Sequence, residues 1–326
     1  MPCRTIKKGI VWIVNRPLRI LPQVWGMLMS ESTVFNRNRS AFWMRVNEND
    51  DGSLNFIVSQ DVVAVVKHHF PELAQASPTG WKQGNKNTEN IWVPANRVDQ
   101  VDVDEIKQWA EFAGNQCVWL KLGNQLQAHF SGSEVDHCIA GDFNFTTDGS
   151  SIIGPRSVLG EAEFQLKYHL GELTQEKKQE YCAVMSQSLL DAFDLLPLRG
   201  IGTPAGPVVS PIPAQEGSSK LAWAFAKHVA ERKGVGFIEP RLLVQKPQMK
   251  QLTIQQKVTV WTTIYQTANS VALDPASVQG RDVVIVDDLY QSGITMWAYA
   301  KALTGAGVRN VFGLVCVKSM RDSDNQ

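Results

Sequence analysis

The sequence predicts an α/β protein built on a parallel sheet and preceded by a smaller α+β domain. After about residue 150, apolar strand-like segments alternate regularly with helical segments. One of these segments, residues 283–286, holds four β-branched residues in a row, which is typical of a strand buried on both faces of a parallel sheet. Before about residue 135 the pattern changes to hairpin signals and short strands. We therefore divide the chain into residues 1–135 and residues 136–326.

The predicted N-terminal domain starts with a β-hairpin. Apolar residues 42–46 and 54–58 flank the turn sequence Asn49-Asp50-Asp51-Gly52, which is typical of a tight connection between antiparallel strands. The other elements predicted here are a loop over 75–90, a strand over 91–93, a helix over 104–112, and strands at 118–120 and 129–130. The residues of this domain do not indicate its role.

The predicted C-terminal domain follows a loop over 142–155. Its helices are expected at 160–168, 177–196, 221–232, 254–267 and 296–303. Its strands are expected at 207–213, at 237–238 with 242–244, at 283–286 and at 311–317. Strands and helices that alternate through short links imply right-handed crossovers and a parallel sheet.

Composition argues for a globular protein of the cytoplasm. Lys and Arg equal Asp and Glu at 32 each, so no global charge attracts nucleic acid or membrane. No apolar run is long enough to span a bilayer. The five cysteines are odd in number and lack a Cys-x-x-Cys spacing, which favours reduced thiols over a disulfide framework.

The first 46 residues form a basic segment, because their only acid is Glu31 while Lys and Arg recur throughout. A nucleic-acid-binding arm, a membrane-surface helix and a targeting peptide are the specific interpretations. We favour a strand plus a solvated basic surface, and we keep contact with nucleic acid or a protein partner as the alternative. A membrane association is not expected, whereas a homo-oligomer or a place in a larger complex is.

The strongest candidate site follows the strand predicted at 283–286. Asp287 and Asp288 come at its carboxyl end, where parallel sheets bind their ligands. The next residues, Ser292-Gly293-Ile294-Thr295, open a helix, and a helix N-terminus offers unpaired N–H groups and a positive dipole end. The glycine lets an anion approach the backbone, and the two hydroxyls can donate to it. Two carboxylates that can accept hydrogen bonds from sugar hydroxyls, next to a turn that can bind a phosphate, match the shape and chemistry of a ribose 5-phosphate.

This segment resembles the ribose-phosphate loop of the type I phosphoribosyltransferases. The resemblance implies that residues 136–326 have the fold of that family, a parallel-sheet type I phosphoribosyltransferase fold. It also implies that Asp287 and Asp288 hold the 2- and 3-hydroxyls of phosphoribosyl pyrophosphate. The 5-phosphate would then be bound by Gln291, Ser292, Gly293, Ile294 and Thr295. Receiver domains lack the Ser-Gly-x-Thr turn, and a Walker loop needs a lysine after its last glycine.

Phosphoribosyl transfer also needs cations, because pyrophosphate leaves with Mg²⁺. By position in the family, Ser218, Ser219 and Lys220 are candidates for the pyrophosphate loop, with an ordinary capped helix start as the alternative. The competence-associated (ComF-like) branch of the family has a mobile basic loop where this chain has Lys246 and Lys250, and solvated loop charge explains these two equally well. A third place is Lys167, for which we favour a helix-surface lysine.

Some features depart from that branch. The four-cysteine zinc ribbon that its members often carry is missing, and Cys117, His129, His137 and Cys138 fit no zinc spacing. Lys257 stands where the branch has Arg, and Val260 stands where we expect Asn. Gln291 cannot take a proton from a base, which argues against salvage of the hypoxanthine-guanine type.

The leading hypothesis is therefore a cytoplasmic, Mg²⁺-dependent phosphoribosyltransferase whose acceptor is unknown. Asp287 and Asp288 would fix the ribose hydroxyls, stabilise the oxocarbenium-like centre, and meet the metal only indirectly through Mg-pyrophosphate. The alternative is a non-catalytic regulator or interaction module of the same fold, which senses a ribose-phosphate ligand and acts in defence or DNA uptake.

Overall fold

The structure is a computed structural model that describes residues 31–147, 153–215, 221–247, 249 and 251–320. The basic residues before position 31 lie outside the described residues, and so do four of the predicted site residues, Ser218, Ser219, Lys220 and Lys250.

The first part of the chain forms an antiparallel sheet. Its strands are β1 (Glu31–Asn36), β2 (Trp43–Glu48), β3 (Leu54–Ser59), β4 (Lys82–Gln83) and β5 (Thr88–Val93), in the spatial order β1-β2-β3-β5-β4. The predicted hairpin is confirmed: Met44 faces Val58, and the turn closes where Asn49 N donates to Ser53 O at 2.9 Å. Alternate residues of β2 and β3 are buried, as expected for a sheet with one face on a core.

Helices α1 (Val63–His69), α2 (Glu72–Ala76) and α3 (Val103–Glu111) belong to the same part of the chain. The helix predicted over 104–112 is confirmed as α3. It starts where the Asp102 side chain accepts a hydrogen bond from Glu105 N at 2.9 Å, which satisfies one of the unpaired N–H groups of its first turn.

The second part of the chain is organised around a larger sheet. Its strands are β6 (Val118–Leu120), β7 (His137–Phe143), β8 (Phe145–Thr147), β9 (Ile153–Arg156), β10 (Val208–Pro211), β11 (Ala214–Gln215), β12 (Gly236–Phe237), β13 (Arg241–Leu242), β14 (Val271–Ala272), β15 (Asp282–Tyr290) and β16 (Asn310–Lys318). The large sheet has the order β12-β10-β15-β16-β7-β6, and all its pairs are parallel except β6 with β7. Strands β11, β13 and β14 form a small sheet, and β8 pairs with β9.

Helices cover both faces of this sheet. They are α4 (Val158–Tyr168), α5 (Gln175–Phe193), α6 (Leu221–Lys233), α7 (Ile254–Gln266) and α8 (Ile294–Gly305). Val284 and Val286 pack in the core that includes α4, α5 and α6, whereas Val283 and Ile285 pack in the core that includes α7 and α8. All four side chains are fully buried, so the prediction of a strand covered on both faces is confirmed.

Strand β15 is longer than predicted. Its pairing with β10 ends at Val286, but its pairing with β16 continues through Asp287 and Leu289 to Tyr290. The acids therefore lie inside the last part of a strand that has lost one neighbour, rather than in a loop after it.

Other predictions need correction. Residues 129–130 do not form a strand, since His129 lies in a turn. The loop predicted over 75–90 contains the end of α2, all of β4 and the start of β5. The segments at 237–238 and 242–244, taken as one strand, contribute to two different sheets. Strand β6 precedes residue 135 but extends the large sheet, and the division into two domains stays a prediction.

None of the helices in the described ranges is long and apolar enough to cross a membrane.

Candidate functional site

The site begins where β10 leaves the sheet and β15 continues. The last contact between them is the hydrogen bond from Ile212 N to Val286 O at 3.1 Å, after which the chain turns away through Pro213. A crevice therefore opens at the carboxyl end of β15, the usual ligand position in open parallel sheets. Asp287 and Asp288, here called the acidic pair, are the first residues past that point.

The two acids approach this crevice from different sides of the sheet. Successive side chains of a strand point to opposite faces, so Asp288 continues the row of Val284 and Val286 while Asp287 continues the row of Val283 and Ile285. The contact of Asp288 with Lys167 of α4 fits this alternation, because α4 packs on the face where Val286 is buried. Asp287 Oδ1 accepts a hydrogen bond from Asp288 N at 2.9 Å, which fixes the first carboxyl against the strand.

A cavity of about 310 Å³ lies against the acidic pair. We call it the site cavity. Its polar lining includes the acidic pair, the residues Gln291 to Thr295 (the site loop), and the lysines 167, 246 and 257. Its apolar lining is provided by Ile212, Met249, Trp261 and Met296, together with the side chain of Ile294 from the site loop. The structure thus brings together the predicted acids, the whole predicted phosphate loop and Lys246.

The site loop presents unpaired backbone donors. Gly293 is the N-cap of α8 with φ +80°, and the first N–H donated into the helix is that of Trp297, to Gly293 O at 2.9 Å. In the described part of the chain, the backbone N–H groups of Ser292, Gly293, Ile294 and Thr295 make no hydrogen bond to other backbone groups. An oxyanion at this helix start would meet several N–H donors and the positive end of the dipole.

Three residues outside the loop hold its shape. The Tyr290 hydroxyl lies under Gly293 and accepts a hydrogen bond from Trp297 Nε1 at 3.0 Å. From β16, Lys318 Nζ donates to Gln291 O at 3.1 Å. A Cβ built on Gly293 would overlap the Tyr290 hydroxyl, so both the positive φ and the space require glycine here.

We expect Gly293→Ala to weaken phosphate binding at least tenfold and to lower the free energy of unfolding by about 2 kcal/mol. Gly280→Ala is the matched control, because Gly280 also has a positive φ (+70°) but has nothing within 4 Å of an added Cβ. Its cost should be limited to backbone strain, about 1 kcal/mol, with phosphate affinity unchanged. Denaturant unfolding and calorimetry with phosphate measure both quantities. Equal behaviour of the two variants would contradict the close packing of Gly293 on Tyr290.

The acidic pair is electrostatically asymmetric. Burial raises the pKa of Asp287 well above its usual range, and the negative charge of Asp288 raises it further. Burial acts in the same direction on Asp288, but the ammonium of Lys167, together with hydrogen bonds from Lys167, from the Asp287 side chain and from the backbone, outweighs it and holds the pKa of Asp288 below its ordinary value. Asp288 is therefore the ionised member of the pair. Within the described residues Asp287 forms no ion pair of its own, and Lys167 acts on it only as a smaller, opposing influence on its pKa.

Lys167 lies in the site, which corrects our preference for a helix-surface lysine. Its Nζ is 2.8 Å from Asp288 Oδ2 and 3.3 Å from Glu163 Oε1, and its side chain is 27% exposed. Burial alone would lower the pKa of this lysine, but Asp288 and Glu163 raise it above its usual value, so the ammonium stays charged. The sequence does hold a signal for this role, because Glu163 falls in the apolar stripe of α4 that also holds Ala162 and Leu166.

A column of three stacked aromatic rings reaches the cavity through Trp261, which lines it. Trp261 stacks on Tyr265 (centroids 5.6 Å apart), and Tyr265 stacks on Tyr299 (5.8 Å). The Tyr299 hydroxyl is hydrogen-bonded to Ser210 Oγ at 2.8 Å, which connects the column to β10. Lys246 Nζ lies 5.1 Å from the centroid of the Trp261 ring, so this predicted cation is placed at the cavity wall. The role of Trp261 was missed because a tryptophan in an amphipathic helix is ordinarily a core residue.

Among the described residues, no group of three or more His, Cys, Asp or Glu side chains is placed to hold a metal ion. Cys117 and Cys138 are buried free thiols whose pKa values burial raises, and burial lowers the pKa of His137 to about 4.

Similarity to known proteins is weak. No protein-family model and no curated protein matches the chain. Among solved structures, it is similar to an adenine phosphoribosyltransferase from Thermoanaerobacter pseudethanolicus, with 19% identity over 44% of this chain and 83% of that one, at a TM-score of 0.28. The Saccharomyces cerevisiae adenine phosphoribosyltransferase gives 16% identity, 55% and 81% coverage and a TM-score of 0.28. A hypoxanthine phosphoribosyltransferase from Staphylococcus aureus has 17% identity over 45% of this chain and 65% of that one, at a TM-score of 0.26. Matches at this level leave the functional conclusion to the site itself.

Proposed function

We propose that this chain is a phosphoribosyltransferase that uses phosphoribosyl pyrophosphate with Mg²⁺. One observation carries the proposal: two adjacent carboxyl side chains and a helix-start loop with unpaired N–H groups line the same cavity at the carboxyl end of a parallel strand. The acidic pair suits the two neighbouring hydroxyls of a ribose, and the site loop suits its 5-phosphate. The type I phosphoribosyltransferase fold and a cytoplasmic location belong to the same proposal.

The reaction that such a site would support is a substitution at C1 of the ribose. The bond between C1 and the pyrophosphate oxygen breaks, and its electron pair leaves with pyrophosphate. The acceptor forms the new bond to C1 and gives up a proton. Positive charge develops at the ring during this exchange, and the Asp288 carboxylate stabilises it from a fixed position, with the Asp287 carboxyl beside it as a second acceptor. Gln291 cannot remove the acceptor's proton, so an acceptor that loses its proton readily is favoured.

The residues present fit a magnesium ion that is held jointly with the substrate. Mg²⁺ is usually bound through one or two carboxylates together with substrate phosphates, and the two adjacent carboxyl groups of the acidic pair line the site cavity. Asp287 and Asp288 would hold the ion through the ribose hydroxyls and pyrophosphate. When bound, magnesium neutralises negative charge on the leaving pyrophosphate. Lys246 lines the cavity and supplies a further cation, and Ser218, Ser219, Lys220 and Lys250 remain predicted pyrophosphate ligands.

The acidic pair provides the decisive experiment. We expect Asp287→Asn combined with Asp288→Asn to weaken binding of magnesium phosphoribosyl pyrophosphate at least a hundredfold, because the charge-assisted acceptor Asp288 and the second carboxyl group, Asp287, are both lost. Titration calorimetry measures the affinity, and circular dichroism checks that the variant is folded. The matched control is Asp50→Asn with Asp51→Asn, another adjacent acid pair, which lies in the β2–β3 turn. Unchanged affinity in the Asp287/Asp288 variant would end the assignment.

Turnover is tested separately with a panel of nucleobases. A phosphoribosyltransferase releases pyrophosphate only when its acceptor is present, so one member of the panel should stimulate release in the unaltered chain and not in the Asp287/Asp288 variant. Tight binding without release for any acceptor would point instead to a non-catalytic regulator of the same fold.

A further inference from the structure

The chain surrounds Asp288 with a charge arrangement that ribose binding alone does not require. Lys167 Nζ contacts Asp288 Oδ2 at 2.8 Å and lies 3.3 Å from Glu163 Oε1. Glu163 is 4% exposed at its side chain, and within the described ranges its Oε1 accepts no hydrogen bond. Two carboxyl groups, those of Glu163 and Asp288, thus lie within 3.3 Å of one ammonium group.

Helix α4 holds this lysine in a fixed position relative to the strand ends. Its first turn is capped by Ser157 Oγ, which accepts from Gly160 N at 3.0 Å and donates to Phe143 O at the end of β7. Gly160 packs directly on the backbone of Asn144, where an added Cβ would overlap the carbonyl group. Asn144 N in turn donates to Lys318 O at 2.9 Å, at the end of β16.

Burying the Glu163 carboxyl group and its ion pair with Lys167 costs folding free energy, which suggests that the arrangement has a role in the site. A buried ion pair adds little stability compared with well-packed apolar residues, and a buried carboxylate without hydrogen bonds costs free energy. Glu163 lies on the side of α4 that packs into the core, where an apolar residue would fit the stripe. What the charges do provide is a counter-charge for Asp288 at the edge of the site cavity, which Lys167 also lines.

We propose that Lys167, anchored by Glu163, is a positioning residue that holds the Asp288 carboxylate in place as a ribose-hydroxyl acceptor. The inference rests on the proposed function. It assigns a role in ligand binding to α4, which lies about 120 positions before the acidic pair. Lys167 acts through Asp288, so its removal should affect ligands that carry the ribose and not ligands that carry only phosphate.

The test compares two ligands across four single variants by titration calorimetry. We expect Lys167→Met to weaken magnesium phosphoribosyl pyrophosphate ten- to a hundredfold, because a charge-assisted contact that orients Asp288 is lost. Magnesium pyrophosphate, which has no ribose, should bind Lys167→Met as it binds the unaltered chain. Lys167→Arg should recover most of the affinity because it keeps the charge, and Glu163→Gln should weaken binding severalfold. The control is Lys177→Met, which removes an exposed lysine paired with Glu180 on α5.

The outcomes separate this inference from the proposed function. Failure of the unaltered chain to bind phosphoribosyl pyrophosphate would overturn the proposed function and this inference with it. Binding by the unaltered chain with no loss in Lys167→Met would overturn the inference alone. An equal loss for pyrophosphate would also overturn it, since Lys167 would then hold phosphate directly. Unchanged affinity in Glu163→Gln would overturn the anchoring role. Unfolding midpoints of all variants show whether a loss reflects misfolding.

Discussion

Asp287→Asn is expected to stabilise the folded protein at neutral pH, whereas Asp288→Asn is expected to destabilise it. Asp287 is a partly buried carboxyl group whose pKa is raised by burial and by the charge of Asp288, so a neutral amide of the same shape avoids the cost of placing a negative charge there. Its hydrogen bond from Asp288 N can be kept by the amide oxygen. Asp288 is the partner of Lys167 at 2.8 Å, and its loss leaves that ammonium with Glu163 alone.

The pH dependence of the two effects has opposite signs. The raised pKa of Asp287 means that the folded state keeps a proton that the unfolded state releases near pH 4, so folded stability falls as the pH rises toward that raised value. Asp287→Asn removes this fall, and its advantage grows above pH 4. The lowered pKa of Asp288 gives a stabilisation that is fully present above pH 4 and is lost as the pH falls through the lowered value. The loss in free energy of unfolding caused by Asp288→Asn should therefore become smaller at low pH.

Denaturant unfolding between pH 3 and pH 8 measures both curves. At pH 7 we expect a gain of about 0.5–2 kcal/mol for Asp287→Asn and a loss of about 1–3 kcal/mol for Asp288→Asn. Both variants should bind phosphoribosyl pyrophosphate more weakly. Asp287 would then lower the stability of the folded protein while contributing to ligand binding. Asp50→Asn serves as the exposed control, with a change below about 0.5 kcal/mol. A shift of the same sign for Asp287→Asn and Asp288→Asn would show that the two acids are not in different environments.

The chemistry at the end of β15 was predictable because its residues are contiguous. Apolar residues 283–286, the adjacent acids and the Ser-Gly-x-Thr turn follow one another in the chain, and strand alternation alone places the two acids on opposite faces of the sheet. Which side chains meet those faces was not predictable. Lys167 and Trp261 come from helices far away in sequence, and only the packing of α4 and α7 on opposite faces brings them to one cavity.

Very short strands account for most of the differences in the fold. Strand β6 has three residues, and β12 and β13 have two each. None of the three carries a periodic pattern long enough to identify its sheet. The extent of β15 was also underestimated, because charged residues in sequence suggest the end of a strand. In the structure the ladder to β16 continues through them, and the loss of β10 as a neighbour is what gives the acids access to the cavity.

Acidic residues at the two ends of β15 have different roles that their sequence context does not reveal. Asp282 opens the strand and is fully buried. Its carboxylate accepts hydrogen bonds from Arg309 Nε at 2.7 Å, Asn310 Nδ2 at 2.9 Å and Arg199 N at 2.9 Å. It therefore ties the start of β16 and the segment after α5 to the amino end of the strand, far from the ligand. Asp287, by contrast, forms no ion pair within the described residues, and it lines the site cavity.

We therefore expect Asp282→Ala to lower the free energy of unfolding by about 3–5 kcal/mol, because three buried or partly buried donors lose their acceptor at once. Folded Asp282→Ala protein should still bind phosphoribosyl pyrophosphate as the unaltered chain does, since the site cavity lies at the other end of β15. Asp282→Asn is the matched variant, which keeps one oxygen acceptor and should lose less stability than the alanine variant. Unfolding in denaturant gives the stabilities, and calorimetry on the folded protein gives the affinities. A small loss of stability together with a large loss of affinity would contradict the separation of roles, because it would mean that the amino end of the strand contributes to the site rather than to the fold.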